Sequence, residues 1–311
     1  MSHKGAEARI VPDDFARHMR ELDSEGGPAW VERLPALVAE LAARWELRVG
    51  APVAPLTYNW VAPATRADGA RAMLKLGLPG SDIRHELAAL RHFDGHGMAR
   101  LLEADVQRHA MLLERLEPGT TLDTLADDDA ATRIAAGVMR ALWTPAPDEH
   151  TFPTAADWGR GFQRHRARFD GGVGPLPRRL FEQAETLYHE LLASQAAPML
   201  LHGDLHHMNI LRAQRAPWLA IDPKGLVAEP AYETGALLRN PIPQVLERPD
   251  PVAMTTRRIA ILAEELGFER ARIRNWGLAQ AVLSACWSIE DEGYGWEPAI
   301  AMAEWCAALP G

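Results

Sequence analysis

Lysine is almost missing from this chain. Of 33 lysines and arginines only three are lysine, at Lys4, Lys75 and Lys224. A surface that uses arginine nearly everywhere makes each lysine informative. Lys75 stands out, because it lies inside the apolar run Ala72-Met73-Leu74-Lys75-Leu76. The plain alternative is an edge-strand lysine that keeps a sheet soluble. Cysteine is scarce too. Cys286 and Cys306 sit in apolar, helix-like segments with no C-x-x-C or Cys/His spacing, which excludes a disulfide framework and a cysteine metal site as organising features. Two small buried thiols in a reducing compartment are expected. No apolar run reaches the ~18 residues of a membrane span. Met1 to Arg9 is polar and of mixed charge, unlike a signal-peptide core. The expectation is a cytoplasmic protein without a membrane partner. Positive charge is in deficit as well: 33 basic against 42 acidic residues leave a net charge of −9. That argues against nucleic acid as a partner, which needs basic residues against phosphates, and it suits a cationic small-molecule substrate. Monomer and dimer both stay open.

What is present is a full core. With 311 residues and 47% hydrophobic content, the chain can form two domains or one large two-lobed domain. Residues Pro28 to Leu47 read as helix, with Trp30, Leu34, Leu37, Val38, Leu41 and Trp45 at three- and four-residue steps. Pro35 either kinks that helix or opens a second one. Strand-like sequence runs from Ala51 to Leu78, with Asp68-Gly69 marking a hairpin between Trp60–Ala62 and Ala72–Leu76. A helix from about Asp82 to Phe93, capped by Ser81, follows. Then come Met98 to Glu103 and a buried strand, Ala110 to Leu116, before Glu117-Pro118-Gly119 breaks the pattern. From Leu122 the sequence is mostly helical. Asp127-Asp128-Asp129 reads as an exposed helix start, and Asp170 to Pro175 as a loop.

One helical-half segment departs from that pattern. His202-Gly203-Asp204-Leu205-His206-His207-Met208-Asn209 leads into a strand, Ile210-Leu211-Arg212, a turn at Ala213 to Pro217, and a second strand, Trp218 to Ile221, ending on Asp222. Asp204, Asn209 and Asp222 thus stand at the ends of one short hairpin. Phosphoryl transfer needs that set: one carboxylate for the acceptor hydroxyl, and an amide oxygen with a second carboxylate for Mg²⁺ on the nucleotide phosphates. The spacing resembles the H-R-D-x-x-x-x-N loop of protein kinases, with Gly203 in place of Arg, the form aminoglycoside phosphotransferases use. Asp222-Pro223-Lys224-Gly225 stands at D-F-G. A kinase reading also wants a lysine on the third strand and a glutamate on the next helix, and Lys75 and Glu86 occupy those places. Glu114 to Leu116 should offer backbone groups to an adenine edge. The glycine-rich loop is absent: Leu56-Thr57-Tyr58-Asn59-Trp60 has no glycine, so its backbone approaches phosphates less freely.

The chain resembles the streptomycin 6-kinase / hydroxyurea phosphotransferase family. The resemblance runs through Pro28-Ala29-Trp30, Leu34 to Trp45, Leu112 to Leu116 and Gly203 to Leu211. Its longest stretch is Ile221 to Glu233, and Leu237-Leu238-Arg239-Asn240-Pro241 also fits. It covers roughly residues 28 to 245. It implies an α+β, two-lobed protein-kinase-like fold. A small β-rich N-lobe with leading helices would span residues 1–116, and a larger, mostly helical C-lobe residues 117–311. It implies ATP- and Mg²⁺-dependent phosphorylation of a small-molecule hydroxyl, an aminoglycoside such as streptomycin first among acceptors. By position Asp204 would be the catalytic base, Asn209 and Asp222 the metal ligands, and Lys75 with Glu86 the phosphate anchor, with Glu114 and Leu116 at the nucleotide. Met208 stands where many aminoglycoside-kinase relatives carry Gly.

His202 is expected to brace the loop. The adjacent His206 and His207 do not suit one zinc site. Lys224 either neutralises phosphate or pairs with Glu229 or another carboxylate. Acceptor recognition is expected from Asp157-Trp158, Trp287 and the run Glu290-Asp291-Glu292, since guanidinium and ammonium groups pair with carboxylates and stack on indoles. Two other readings compete: a kinase of a sugar-like or other metabolic alcohol, and a catalytically silent nucleotide-binding protein.

Overall fold

A computed structural model describes residues 10–23, 26–79, 83–242, 244–291 and 293–310. The chain divides into two compact units, Met1–Gly95 with Ala99–Arg115, and His96–Met98 with Leu116–Gly311.

The first unit holds helices α1 (Asp13–Leu22) and α2 (Gly26–Arg44). Strands β1 (Leu47–Val49), β2 (Asn59–Arg66) and β3 (Arg71–Gly77) follow, then helix α3 (Ile83–Phe93) and strands β4 (Leu101–Asp105) and β5 (Ala110–Glu114). All five strands pair antiparallel in the order β1-β2-β3-β5-β4. Along β2 the alternate residues Trp60, Ala62 and Ala64 point inward, the two-residue period of a half-buried strand. They meet Trp30, Leu34, Val38 and Leu41 of α2 in one core cluster. Gly69 supplies the left-handed φ of the β2–β3 turn (86°), and Asp68 accepts from the Ala70 amide at 2.8 Å. Pro35 lies inside a single helix.

Helix α1 was not read from the sequence, although Phe15 and Met19 bury themselves at i, i+4 spacing. Phe15 packs edge-on against Trp30, ring centroids 5.9 Å apart. Helix α2 stops at Arg44 rather than Leu47, because Glu46 takes a left-handed φ of 53° that turns the chain into β1. Residues 51–58 form no strand. The expected cap Ser81 lies outside the described residues.

The second unit is mainly helical: α4 (Asp128–Leu142), α5 (Ala155–Arg168), α6 (Arg178–Ala193), α7 (Thr234–Leu238), α8 (Pro251–Leu266), α9 (Arg270–Asp291) and α10 (Glu297–Ala308). Short strands β6 (Thr144–Pro145), β7 (Met199–Leu201) and β10 (Leu226–Ala228) make a small antiparallel sheet, while β8 (Ile210–Arg212) and β9 (Trp218–Ala220) form the expected hairpin. Helix α9 is buried on most of its surface from Ile273 to Ile289 and packs against α6, α7 and α10, as its all-round apolar sequence requires. Cys286 and Cys306 are unbridged and buried on α9 and α10. The Asp127–Asp129 run is more than a solvated helix start. Asp127 caps α4 through the Ala130 amide, and Asp128 pairs with buried Arg258 at 2.5 Å. No helix among the described residues is long and apolar enough to cross a membrane.

Candidate active site

The H-G-D loop sequence is short and polar, so its backbone groups need partners other than a ladder. Glu233 supplies them. Its carboxylate, 1% exposed, accepts from the amides of His202 (2.7 Å) and Gly203 (2.9 Å), and Leu205 donates to it as well. Gly203 adopts φ 87°, and a Cβ there would stand 3.1 Å from both Trp158 Cη2 and Leu226 Cβ. The second letter of H-G-D is therefore glycine for two reasons: handedness and the tryptophan laid against it.

His202 is fully buried. Its Nδ1 accepts from the Asp204 amide (3.2 Å), so Nε2 carries the proton and donates to the Ile221 carbonyl (2.7 Å). The His202 carbonyl in turn accepts from Lys224 (2.8 Å) and Gly225 (3.2 Å). One residue thus ties the Asp204 turn to the Asp222 turn. Asn209 donates from Nδ2 to the Asp204 carbonyl at 3.0 Å, which turns its amide oxygen away from that carbonyl. Its own carbonyl accepts from Ile221 at 3.0 Å, so Asn209 and Asp222 stand one residue apart across the hairpin. Asp222 takes a left-handed φ of 60°, a conformation aspartate tolerates better than most residues. Among the described residues no three His, Cys, Asp or Glu cluster to hold a metal. The available donors are the hard oxygens of Asn209 and Asp222, a set suited to an ion that takes its other ligands from phosphate or water.

Asp204 itself is half-buried. Burial pushes its carboxyl up, but His206, Arg239, Lys224 and His202 more than offset this and hold it below its usual range. Arg239 Nη2 lies 3.4 Å from Oδ1, and His206 Nε2 lies 3.9 Å from Oδ2. His207 faces other surroundings, buried with neither ring nitrogen hydrogen-bonded.

In the first unit Lys75 and Glu86 do meet. Nζ lies 2.7 Å from Oε1, with both side chains buried. Glu114 ends β5 and accepts the Arg100 amide at 3.0 Å, and Leu116, in the second unit, is buried.

The acceptor candidates fare differently. Trp158 and Trp287 are half-buried and packed edge to face, centroids 5.5 Å apart. Asp157 is taken up as the capping-box partner of Thr154 and by Arg160 at 2.6 Å. Glu290 forms a two-point pair with Arg164 (2.8 and 3.0 Å). Asp291 is exposed at the end of α9. Glu292 lies outside the described residues. Lys224 is exposed and does not pair with Glu229, whose carboxylate is held by Arg272 (2.7 Å), Trp276 and the Ala196 amide. Sequence reasoning missed Glu233 and Arg239. An acid inside Ala231-Tyr232-Glu233-Thr234-Gly235-Ala236-Leu237-Leu238 was the available signal, because a lone carboxylate in an apolar run must be paired.

The aminoglycoside/hydroxyurea antibiotic resistance kinase family matches residues 44–292. The chain belongs to this family. Its curated relatives include streptomycin 6-kinase of Streptomyces glaucescens, 36% identical over 93% of this chain and 94% of the relative. Hydroxyurea phosphotransferase of Kitasatospora aureofaciens is 34% identical over 90% and 81%. Among solved structures, the chain is similar to an aminoglycoside phosphotransferase, APH(4)-Ia, in complex with ADP and hygromycin B. The TM-score is 0.63 at 13% identity, covering 87% of this chain and 96% of that one. It is similar also to choline kinase LicA from Streptococcus pneumoniae, TM-score 0.60 at 13% identity, covering 88% and 98%. The fold is therefore the two-lobed kinase-like one the sequence implied, and this family member is a small-molecule kinase that transfers phosphate to a hydroxyl.

The buried loop gives the second unit a pH signature. Burial pushes His202 down to about 4 and His207 to about 3, from 6.5. In acid the unfolded chain takes up both protons near pH 6.5 while the folded chain does not, so these groups destabilise the fold as pH falls. Glu233, pushed up to about 7 by burial from 4.5, has the opposite sign. Its folded form binds a proton first, which stabilises the fold as pH falls from 7 toward 4.5. The two histidines outweigh the one glutamate, and His206, also held down by burial, adds to them, so stability should fall as pH drops from 6 to 4.5. Thermal unfolding across that window should show the slope, and His207→Leu should flatten it. An unaltered slope in that variant would mean the ring does not titrate on unfolding.

Proposed function

We propose that the protein transfers the γ-phosphoryl group of ATP, with Mg²⁺, to a hydroxyl of an aminoglycoside, streptomycin first among candidates. The observation that carries this reading is the Glu233-held turn that bears the Asp204 carboxylate, held below its usual range, next to Gly203, against which Trp158 of the Trp158–Trp287 pair lies. Asp204 accepts the acceptor's hydroxyl proton as the new P–O bond forms. The bound Mg²⁺–nucleotide supplies the phosphoryl group and offsets charge on its oxygens. Asn209 and Asp222 offer the oxygen ligands for the ion. Lys75, fixed by Glu86, holds the α/β-phosphates, and Glu114 and Leu116 border the adenine. The indoles of Trp158 and Trp287 offer faces and edges on which a guanidinium can stack, and Asp291 adds negative charge at the end of α9, with Glu292 next in the sequence. The curated relatives named for streptomycin support this acceptor.

A second reading, a sugar-like or other metabolic alcohol, draws on one observation: Asp157 and Glu290 already have cationic partners within the protein. ADP release with Mg²⁺-ATP across streptomycin, other aminoglycosides, hydroxyurea and simple sugars separates the two. Stimulation by streptomycin supports the first reading. Stimulation by sugars alone moves the acceptor to the second.

A further inference from the structure

Arg239 occupies a place the reaction so far leaves unexplained. It sits at the C-terminal end of α7, its side chain 13% exposed, with Nη2 3.4 Å from Asp204 Oδ1. A tight cation–carboxylate bond is shorter, about 2.7–2.9 Å. The contact therefore biases one oxygen of the carboxylate without capping it.

The mount of this arginine is unusually complete. Arg258 on α8 is 1% exposed. Its Nη1 donates to the carbonyls of Leu237 (3.2 Å), Leu238 (3.2 Å) and Asn240 (2.7 Å), so the backbone is held on both sides of Arg239. Its Nε and Nη2 bind the Asp128 carboxylate at the start of α4, at 3.0 and 2.5 Å. Asn240 adds a bond from Nδ2 to the Ala236 carbonyl at 2.9 Å. A buried arginine needs its charge paired and its donors satisfied. Here that requirement is met by clamping the one turn that carries Arg239.

We infer that Arg239 is a positioning residue for phosphoryl transfer: it holds the Asp204 carboxylate in the orientation that meets the acceptor hydroxyl, and the Asp128–Arg258 pair sets Arg239. This rests on the reading of Asp204 as the base. A base must lie within hydrogen-bond reach of the proton it takes, and a misplacement of about 1 Å can cost roughly 10²-fold in rate. Arg239 is the cation that biases Oδ1, at 3.4 Å, while Oδ2 faces His206 at 3.9 Å.

The test uses full-length Arg239→Lys, Arg239→Ala and Asp128→Asn, assayed for ADP release with Mg²⁺-ATP and streptomycin, or with water as acceptor if no added acceptor stimulates turnover. Arg239→Ala should lower kcat by about 10–100-fold with KM for ATP and acceptor changed less than about threefold. Arg239→Lys should fall between it and the native chain. Millimolar guanidinium should restore part of the rate to Arg239→Ala and none to Asp204→Ala. Asp128→Asn should lower kcat in the same direction with Arg239 intact. An unchanged kcat in well-folded Arg239→Lys and Arg239→Ala would overturn the inference. So would a rise in acceptor KM at constant kcat, which makes Arg239 a binding group, or loss of rate without guanidinium rescue. If Asp204→Ala itself retains full turnover, it is the assignment of the base that fails instead.

Discussion

Replacing Asp204 by Ala should lower phosphoryl transfer by a factor of at least ~10², because a positioned base contributes about that much, while ATP binding stays nearly intact. The structure makes this substitution a clean probe. The turn is held by backbone groups: the Asp204 amide on His202 Nδ1, its carbonyl on Asn209 Nδ2, and the flanking amides on Glu233. None of these bonds uses the Asp204 side chain. Truncation therefore removes the carboxylate and leaves the loop that carries it. The cost to stability falls first on Arg239, which loses an anion at 3.4 Å, on the order of 1–3 kcal/mol, with His206 at 3.9 Å the other close partner. Measuring turnover and nucleotide affinity side by side decides the matter. Native turnover in a folded Asp204→Ala would remove this carboxylate from the reaction. A parallel loss of ATP binding would place it at the nucleotide.

Much of this site was legible before any coordinates, and the reason is local geometry. Asp204 and Asn209 lie five residues apart on one turn, and the hairpin after them brings Asp222 back by the pairing of Ile210 with Ala220. Such relations are fixed by spacing and strand register alone. Lys75 and Glu86 were legible for a similar reason: one central strand and the next helix, eleven residues apart. What the sequence hid were the tertiary partners. Glu233 and Arg239 reach the H-G-D turn from about thirty residues away, at a distance periodicity cannot see. Asp128 looked like part of a solvated run until Arg258, 130 residues later, came to meet it. The acceptor candidates divide the same way. Both indoles were named as acceptor candidates, but their packing on each other, and the loss of Asp157 to its own helix cap, depended on tertiary contacts and on Thr154 and Arg160 turning toward it. The unread helix α1 is a case of overlooked pattern: its Phe15 and Met19 were in plain view at helical spacing.

The largest stability effect should come from the first unit. Lys75 is 2% exposed and Glu86 is 8% exposed, and they meet at 2.7 Å. An ammonium removed from water needs a compensating anion; breaking a buried pair by deleting one partner costs about 3–5 kcal/mol, whereas the intact pair itself contributes little net stability. Glu86→Ala should therefore destabilise the first unit by that amount, and Glu86→Gln by less, because the amide oxygen can still accept from Nζ. Lys75→Met should be milder, since the buried carboxyl it leaves behind can take up a proton and become neutral, and a thioether of similar length replaces the lysine stem beside its cross-strand partners Val61 and Met111. The order inverts for function. If Lys75 holds the nucleotide phosphates, Lys75→Met weakens ATP binding or kcat more than Glu86→Gln does, even though it unfolds at a higher temperature. Thermal unfolding and ATP affinity measured on the same three variants separate the roles. Should stability and nucleotide affinity fall together in the same rank order, the pair is a structural bridge and the phosphate-anchoring role of Lys75 is lost.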